Sequence, residues 1–256
     1  MNLLFIGDIV GQPGRQYLTE HLRKIKENYK IDVCIANGEN SAHGNSITVN
    51  CARELWDAGV DIITTGNHIF KRDVVQVFDD FPYLIRPANY PAHLPGEGSV
   101  VFDTGAVRVG VINLQGRIYM DPLDSPFDAA ENERKKIEEK SDIIIVDFHA
   151  ETTSEKGAMG YFLDGKVTAV VGTHTHVQTA DEKILPQGTA FISDVGMTGP
   201  YLSVLGVDKD IIVGRFARFE SKRFELADGP VQFNAVVIDA DPKTGKASSI
   251  TRINLV

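Results

Sequence analysis

The chain has 256 residues, of which 43% are hydrophobic, and a formal net charge of −9 from 26 basic and 35 acidic side chains. This length and composition predict a globular α/β protein with a full hydrophobic core, and we expect a single domain over residues 1–256. The acidic balance excludes a broad nucleic-acid or membrane coat, because clustered Lys and Arg hold such partners. A small phosphate-bearing ligand stays compatible with it, because bound metal ions add positive charge that the formal count omits.

Cysteines and hydropathy indicate the compartment. Cys34 lies in an apolar run and Cys51 near the start of a helical pattern, so both are predicted to be buried free thiols without a disulfide framework. The chain starts directly with an apolar strand and shows no basic leader, and no run reaches the roughly 18 apolar residues that span a bilayer. We expect a cytoplasmic protein without membrane contact.

Three apolar strands in the N-terminal half end at polar side chains. Residues 2–6 lead to Asp8 and then to a helical pattern from Pro13; residues 32–36 lead to Glu39 and Asn40; residues 61–65 lead to Asn67 and His68. Ligands of open α/β sheets bind at these carboxyl ends of strands. A turn or a helix cap is the alternative interpretation of Asp8, and Gly11-x-x-Gly14 is too weak a pattern for a dinucleotide loop.

Three histidines follow strands in the C-terminal half. His149 ends the buried run that begins at Ile143, whereas His174 and His176 follow the run from Val167 to Gly172. In an extended chain the rings of an H-x-H pair leave on the same side, which would aim both at one point. The pair alone also fits ordinary surface histidines, and the oxygen donors at the other strand ends favour a metal site.

The order of elements bears on the sheet type. In the first part of the chain strands alternate with helices, and one of these helices is predicted over residues 72–81. Two strands then follow one another directly, at residues 99–102 and 107–112. This order favours a mixed sheet or two packed sheets over one parallel sheet. Residues 119–127 are predicted to be a connector or a lid, with the connector favoured. His21 is predicted to be a surface or core-edge residue, and His93 to face solvent.

The candidate donors form a mixed set of carboxylates, amides and imidazoles without a thiolate. They are Asp8, Glu39, Asn40, Asn67, His149, His174 and His176, with His68 as a proton donor or a further ligand. Such a set suits a pair of divalent or mixed-valence first-row ions such as Fe, Mn or Zn better than a structural zinc. One carboxylate must then bridge the two ions, and Glu39, central in the set, is the candidate.

The motifs resemble the calcineurin-like metallophosphoesterase superfamily, and more closely its YmdB-like branch. The resemblance extends over nearly the whole chain and rests on these blocks: FIGDIVGQPGR, NGENSAHG, TGNHIF, RPANYP, INLQGR, DFHAETTSEK, VGTHTHVQTAD and DVGMTGP. It implies a four-layer αββα sandwich of two mixed sheets flanked by helices. It also implies a dinuclear centre, with Fe favoured over Mn or Zn, and phosphodiesterase activity on cyclic nucleotides, both 2′,3′ and 3′,5′.

The resemblance also implies residue roles. The first ion would be held by Asp8, Glu39, Asn40 and His176, and the second by Glu39, Asn67, His149 and His174. His68 would protonate the leaving group while a hydroxide between the ions attacks phosphorus. The chain departs from the superfamily in having Ile9-Val10 where a histidine usually follows the first aspartate, and a glutamate in place of the bridging aspartate. Asn40 is expected to replace the missing ligand.

Several alternatives stay open at the level of sequence. A phosphomonoesterase could use the same centre, and a regulatory nucleotide-binding protein could carry the metals with little turnover. An amidohydrolase is disfavoured because its H-x-H follows the first strand of an eightfold barrel, and here the pair comes late. Arg117 and His43 are weaker candidates for phosphate contact. We expect a small phosphodiester substrate, and the oligomeric state is open, a homo-oligomer included.

Overall fold

The computed structural model describes residues 1–256 and contains thirteen strands and six α-helices. The strands are β1 (Asn2–Ile6), β2 (Asp8–Ile9), β3 (Val33–Asn37), β4 (Ile62–Thr64), β5 (Ser99–Asp103), β6 (Arg108–Gln115), β7 (Ile143–His149), β8 (Ala169–Thr173), β9 (Lys183–Ile184), β10 (Ala190–Ile192), β11 (Met197–Pro200), β12 (Val231–Asp241) and β13 (Lys246–Leu255). The helices are α1 (Gly11–Tyr29), α2 (Val49–Ala58), α3 (Val75–Asp80), α4 (Pro126–Ile137), α5 (Thr153–Leu163) and α6 (Lys209–Arg218). Two short 3₁₀ helices cover Ile69–Lys71 and Glu138–Lys140.

The strands form two mixed sheets. In the first sheet the order is β2-β11-β12-β1-β3-β4, and β13 also pairs with β12. Strands β1, β3 and β4 are parallel, whereas β12 runs antiparallel to β1. In the second sheet the order is β5-β6-β7-β8-β10-β9, with β6, β7, β8 and β10 parallel and antiparallel strands at both edges.

Strand β1 shows why the sheets are sandwiched. Every residue from Leu3 to Ile6 is fully buried, so both faces of the strand are covered. Because side chains alternate along a strand, Leu4 and Ile6 face one way while Leu3 and Phe5 face the other. The first pair joins a core packed under α1 and α2, and the second pair joins a core shared with the second sheet.

Three hydrophobic cores separate four layers. The outer cores lie between the first sheet and helices α1 to α3, and between the second sheet and helices α4 and α5; the middle core lies between the sheets. The predicted αββα sandwich of two mixed sheets is therefore confirmed. Helix α6 is an exception, since it buries only Ile212 and Gly214.

Local details differ from the sequence predictions in two places. Helix α1 begins at Gly11 rather than at Pro13. The helix predicted over residues 72–81 is split, because Arg72 is extended (φ −135°, ψ 171°) between the 3₁₀ turn and α3. Both cysteines are buried free thiols, and His21 and His93 are exposed, as predicted. None of the six α-helices combines the length and the hydropathy that a membrane-spanning helix requires.

Replacing Phe5 by Ala tests the core between the sheets. Phe5 is fully buried, so we expect the free energy of unfolding to fall by about 3–5 kcal/mol. Urea denaturation at constant m-value measures this change. Phe216→Ala is the matched control, because Phe216 is 79% exposed and its loss should change stability by less than about 0.5 kcal/mol. Equal effects of the two substitutions would contradict the layered core.

Candidate metal centre

The predicted donors lie at one edge of the sandwich. Asp8 opens β2 and His149 ends β7, while Glu39, Asn67 and His174 follow the ends of β3, β4 and β8. The strands that lead to them run parallel within each sheet, so their carboxyl ends bring the side chains together. Asp8, Glu39 and His149 are completely buried there.

One group of donor atoms surrounds the Nε2 atom of His149. This atom lies 3.0 Å from Glu39 Oε1, 2.9 Å from Asn67 Oδ1 and 3.1 Å from His174 Nδ1. Ligands on adjacent octahedral positions, with bonds of about 2.1 Å, are separated by about 3.0 Å. Glu39, His149 and His174 each offer one atom within 4.8 Å of the others. The spacing and chemistry of this group fit a divalent ion.

A second group adjoins the first through Glu39. Asn40 Nδ2 lies 3.2 Å from Asp8 Oδ1, 3.1 Å from His176 Nε2 and 3.3 Å from Glu39 Oε1. His176 Nε2 is 3.6 Å from Asp8 Oδ1. Asn40 presents its amide nitrogen to this group, so ligation through oxygen requires the amide to turn over. All seven predicted ligands thus meet in two adjoining groups.

The buried charges of the two groups are balanced within the cluster. Burial alone would raise the pKa of Glu39, but the charge and the hydrogen bond of His149 lower it. Burial likewise would raise the pKa of Asp8, and the hydrogen bond and charge of His176 hold it well below its usual range. Burial would lower the pKa of His149, yet Glu39 raises it to about 9. The carboxylates of the cluster therefore stabilise a positive charge at His149, next to Glu39.

His174 shows the opposite electrostatic behaviour. Burial, together with the charge of the neighbouring His149, lowers the pKa of His174 to about 3. The two rings are 4.8 Å apart between centroids and meet edge to face. His174 is thus neutral at physiological pH, which is the form of imidazole that binds metals.

Hydrogen bonds outside the cluster orient two of the rings. The Thr173 hydroxyl donates to Asp147 Oδ1 at 2.7 Å, so it accepts from His149 Nδ1 at 2.9 Å. His176 Nδ1 donates to the Leu205 carbonyl at 3.1 Å. In both rings the bonded nitrogen carries the proton, and Nε2 faces the donors of the cluster.

These orienting groups were missed in the sequence. Thr173 sits in an apolar strand, and its hydroxyl gave no signal. Asp147 did give one, since it is a fully buried carboxylate inside the apolar run of β7. Glu151 was also missed; its Oε2 lies 3.0 Å from His174 Nε2, on the side of the ring away from the cluster. Leu205 acts through its backbone, which sequence patterns do not report.

The H-x-H pair converges by a route other than the predicted one. His174 and His176 are not extended; their φ angles are +104° and +61°. This left-handed backbone turns the two rings apart, one into each donor group, so the expectation of two rings on one side of a strand was wrong. Such conformations cost about 1–3 kcal/mol each and persist where the surroundings enforce them. The His174 amide donates to Asp8 Oδ2 at 3.1 Å, which is one such restraint.

Gly66 makes room for the first donor group. A side-chain Cβ at this position would clash with the His149 ring and would lie 2.5 Å from Glu39 Oε2. Neither partner is a flexible chain end, because His149 and Glu39 are both completely buried. Only glycine allows the loop after β4 to approach these donors so closely.

His68 stands between the donors and a neighbouring cleft. Its Nδ1 lies 2.7 Å from Asn40 Oδ1, and its backbone amide donates to Glu39 Oε2 at 2.9 Å. The cleft has a volume of about 600 Å³, and His68, His176 and His43 line it. One-third of the His68 side chain is exposed, at 33%. The ring therefore reaches the cleft while its other edge is held by the cluster.

Arg117 and residues 119–127 lie outside this cleft. Arg117 borders a separate hollow with Pro122 and Phe127, and its backbone amide donates to Glu155 Oε1 at 3.0 Å. Tyr119 is 89% exposed. The structure thus brings His43, but not Arg117, to the cleft. Residues 119–125 lie between β6 and α4, and residues 126–127 form the start of α4.

Comparison with a distant structure bears on the fold alone. The NAD nucleotidase of Haemophilus influenzae superposes with a TM-score of 0.61 at 15% identity, over 100% of this chain and 56% of that one. The two-sheet architecture is thus shared with that nucleotidase.

Closer comparisons concern the family. A relative from Bacillus subtilis (strain 168), described as 2′,3′-cyclic-nucleotide 2′-phosphodiesterase, is 48% identical over 254 residues, 99% of this chain and 96% of the relative. A hypothetical protein from Thermus thermophilus superposes with a TM-score of 0.92 at 39% identity, over 100% and 99% of the two chains. The model of the YmdB-like protein family matches residues 4–253. The chain therefore belongs to the YmdB-like family, as its motifs predicted.

Proposed function

We propose that the protein is a metal-dependent phosphodiesterase, a single domain of residues 1–256, that hydrolyses 2′,3′-cyclic nucleotides, with 3′,5′-cyclic nucleotides as a second substrate class. The observation that carries this proposal is the pair of donor groups that share Glu39 beside a cleft bordered by His68. The activity named for the Bacillus subtilis relative, at 48% identity, supports the same reaction.

Two ions would be held by the seven donors. Asp8, Glu39, Asn40 and His176 would hold the first, and Glu39, Asn67, His149 and His174 the second. Carboxylate, amide and imidazole ligands suit Fe, our first candidate, and also Mn or Zn. Glu39 is the proposed bridge because its Oε1 contacts both groups, at 3.0 Å from His149 and 3.3 Å from Asn40.

Hydrolysis of the cyclic ester breaks one P–O bond, and the water oxygen joins phosphorus. Lewis acidity and a lowered pKa of water are what two divalent ions supply at such a site. When the Asn40 amide turns over for ligation, its Nδ2 would donate to His68 Nδ1, and the neutral ring would then carry its proton at Nε2. His68, which lines the cleft, would give this Nε2 proton to the leaving sugar oxygen. Such a proton donor contributes about 10² to 10⁴ in rate.

The proposal is tested on protein purified without chelators. We expect about two first-row ions per chain and turnover of 2′,3′-cyclic AMP exceeding that of a nitrophenyl phosphate monoester. Glu39→Gln should abolish both turnover and full metal content, since an amide is a poor bridge. Tight nucleotide binding without turnover would instead identify a regulatory protein, and preference for the monoester would identify a phosphomonoesterase.

Gly66→Ala tests the metal site without removing a donor. The added Cβ must displace His149 or Glu39, so we expect metal content below two ions per chain and turnover at least about 10²-fold lower. Elemental analysis and initial rates measure this. Gly157→Ala is the matched control, because a Cβ there meets nothing within 4 Å. Unchanged metal content in Gly66→Ala would argue against these donors.

His68→Ala separates proton donation from ligation. We expect both ions to stay bound while the rate falls by about 10² to 10⁴. His93→Ala, an exposed histidine outside the cleft, is the control and should keep full activity. Loss of an ion in His68→Ala would make His68 a ligand instead.

A further inference from the structure

The cleft beside the donor cluster is strongly basic. Five of its lining side chains are cationic and one is a carboxylate, Glu225; the cations are Lys71, Arg72, Arg215, Lys222 and Arg223. The whole chain has the opposite balance, with 26 basic and 35 acidic residues. A cleft lined by one sign of charge concentrates ligands of the other sign. The protein therefore offers an anion-attracting surface at this place, against its overall charge.

Four of the five cations are not neutralised by a carboxylate, and one of these, Arg72, donates from Nε to the Asn45 carbonyl at 3.1 Å. Lys222 is paired with Glu220 at 3.2 Å, whereas Lys71, Arg72, Arg215 and Arg223 form no ion pair within 4.0 Å. The Arg215 guanidinium lies over the Phe224 ring, 4.8 Å from its centroid. Lys71 follows His68 on one wall, and Arg223 stands on the wall formed by residues 222–226. Unpaired charges thus approach the cleft from both sides.

The cations are not counter-charges of the buried carboxylates. Asp8 and Glu39 are already engaged by His176 and His149, at 3.6 and 3.0 Å. Two bound divalent ions would add more positive charge than these two carboxylates cancel. The cationic lining is therefore in excess of what the centre and the scissile phosphate require, and it suits a further anion.

The position of His68 decides which part of the substrate enters the cleft. The leaving oxygen that His68 would protonate stays attached to the sugar. The sugar must therefore lie on the cleft side of His68, and its 5′ substituent must extend between the walls. The Phe224 ring with its stacked Arg215 offers a platform for the base.

We infer that this cleft binds a second phosphate on the 5′ side of the substrate, so that 2′,3′-cyclic phosphates with such a phosphate are preferred over the plain nucleoside forms. The inference rests on the proposed function for the site of the scissile bond. The second phosphate belongs to a 5′-phosphorylated mononucleotide or to the internucleotide link of a short RNA end. Both present the same anion to Lys71 and Arg223.

The test compares three substrates on the metal-loaded enzyme: adenosine 2′,3′-cyclic phosphate, its 5′-phosphorylated form, and the adenylyl dinucleotide with a 2′,3′-cyclic end. We expect kcat/KM to rise about 10-fold or more with the second phosphate, through charge-assisted hydrogen bonds. The gain should shrink between low and high salt. In Lys71→Ala/Arg223→Ala the ratio should fall to about 1. A gain confined to the mononucleotide or to the dinucleotide identifies the source of the phosphate.

A binding measurement keeps this inference separate from the proposed function. Adenosine 3′,5′-bisphosphate should bind about 10-fold more tightly than adenosine 3′-phosphate in titration calorimetry, and the double variant should lose that difference. Lys24→Ala/Lys140→Ala removes two exposed charges outside the cleft lining and should keep it. Hydrolysis of all three substrates at equal kcat/KM, or a gain that survives in Lys71→Ala/Arg223→Ala, overturns the inference. Bisphosphate preference without any hydrolysis overturns the proposed function alone.

Discussion

The geometry of the candidate centre depends on a buried ion pair that is not part of it. Lys156 Nζ on helix α5 lies 2.7 Å from Asp194 Oδ2, and both side chains are about 1% exposed. The same carboxylate accepts hydrogen bonds from the backbone amides of Thr175 and Gly196, both at 2.9 Å. Thr175 is the residue between His174 and His176, so the Lys156–Asp194 ion pair holds the middle of the H-x-H loop. Two charges buried away from water are stable only as a pair. Removing one of them leaves the other uncompensated and lowers the free energy of unfolding by about 3–5 kcal/mol.

That anchor explains how two histidines can occupy a left-handed backbone. The loop is held at Thr175 by Asp194 and at the His174 amide by Asp8. Asp8 thus serves as a donor of the cluster and as an acceptor for the loop that carries two other donors. Its Oδ1 faces His176 while its Oδ2 receives the amide. The contacts that hold the loop in place therefore also bring the donors together.

Much of the fold and of the donor set could be predicted from the sequence, for a simple reason. Parallel strands end at a common edge, so polar residues that follow apolar runs are brought together whatever the details of the connections. This is how Asp8, Glu39, Asn67 and His149 were placed at one site. The direction in which His174 and His176 point could not be read, since it depends on φ angles that only the surrounding contacts enforce.

Residues that act across long sequence distances were also out of reach. No sequence pattern marks Lys156 as an interior residue, and only the position of Asp194 beside it makes it one. The cationic cleft escaped notice for a related reason. The cationic residues of the cleft come from residues 68–72 and 215–226, and neither segment contains a conspicuous run of basic residues. The net charge of −9 also argued against a basic surface. The family motifs indicated the candidate donors but not the cationic lining of the cleft.

The hydrogen bond from His176 Nδ1 to the Leu205 carbonyl has a further consequence. This bond connects His176, a candidate metal ligand, to the segment of residues 201–230 between β11 and β12. Leu226 of the same segment also packs against Gly11. Ion binding at the candidate centre and the conformation of this segment would therefore be thermodynamically linked, and such a linkage is reciprocal. A ligand that stabilises this conformation of the segment would then raise the affinity of the centre for the proposed ions, and loss of the ions would release the segment.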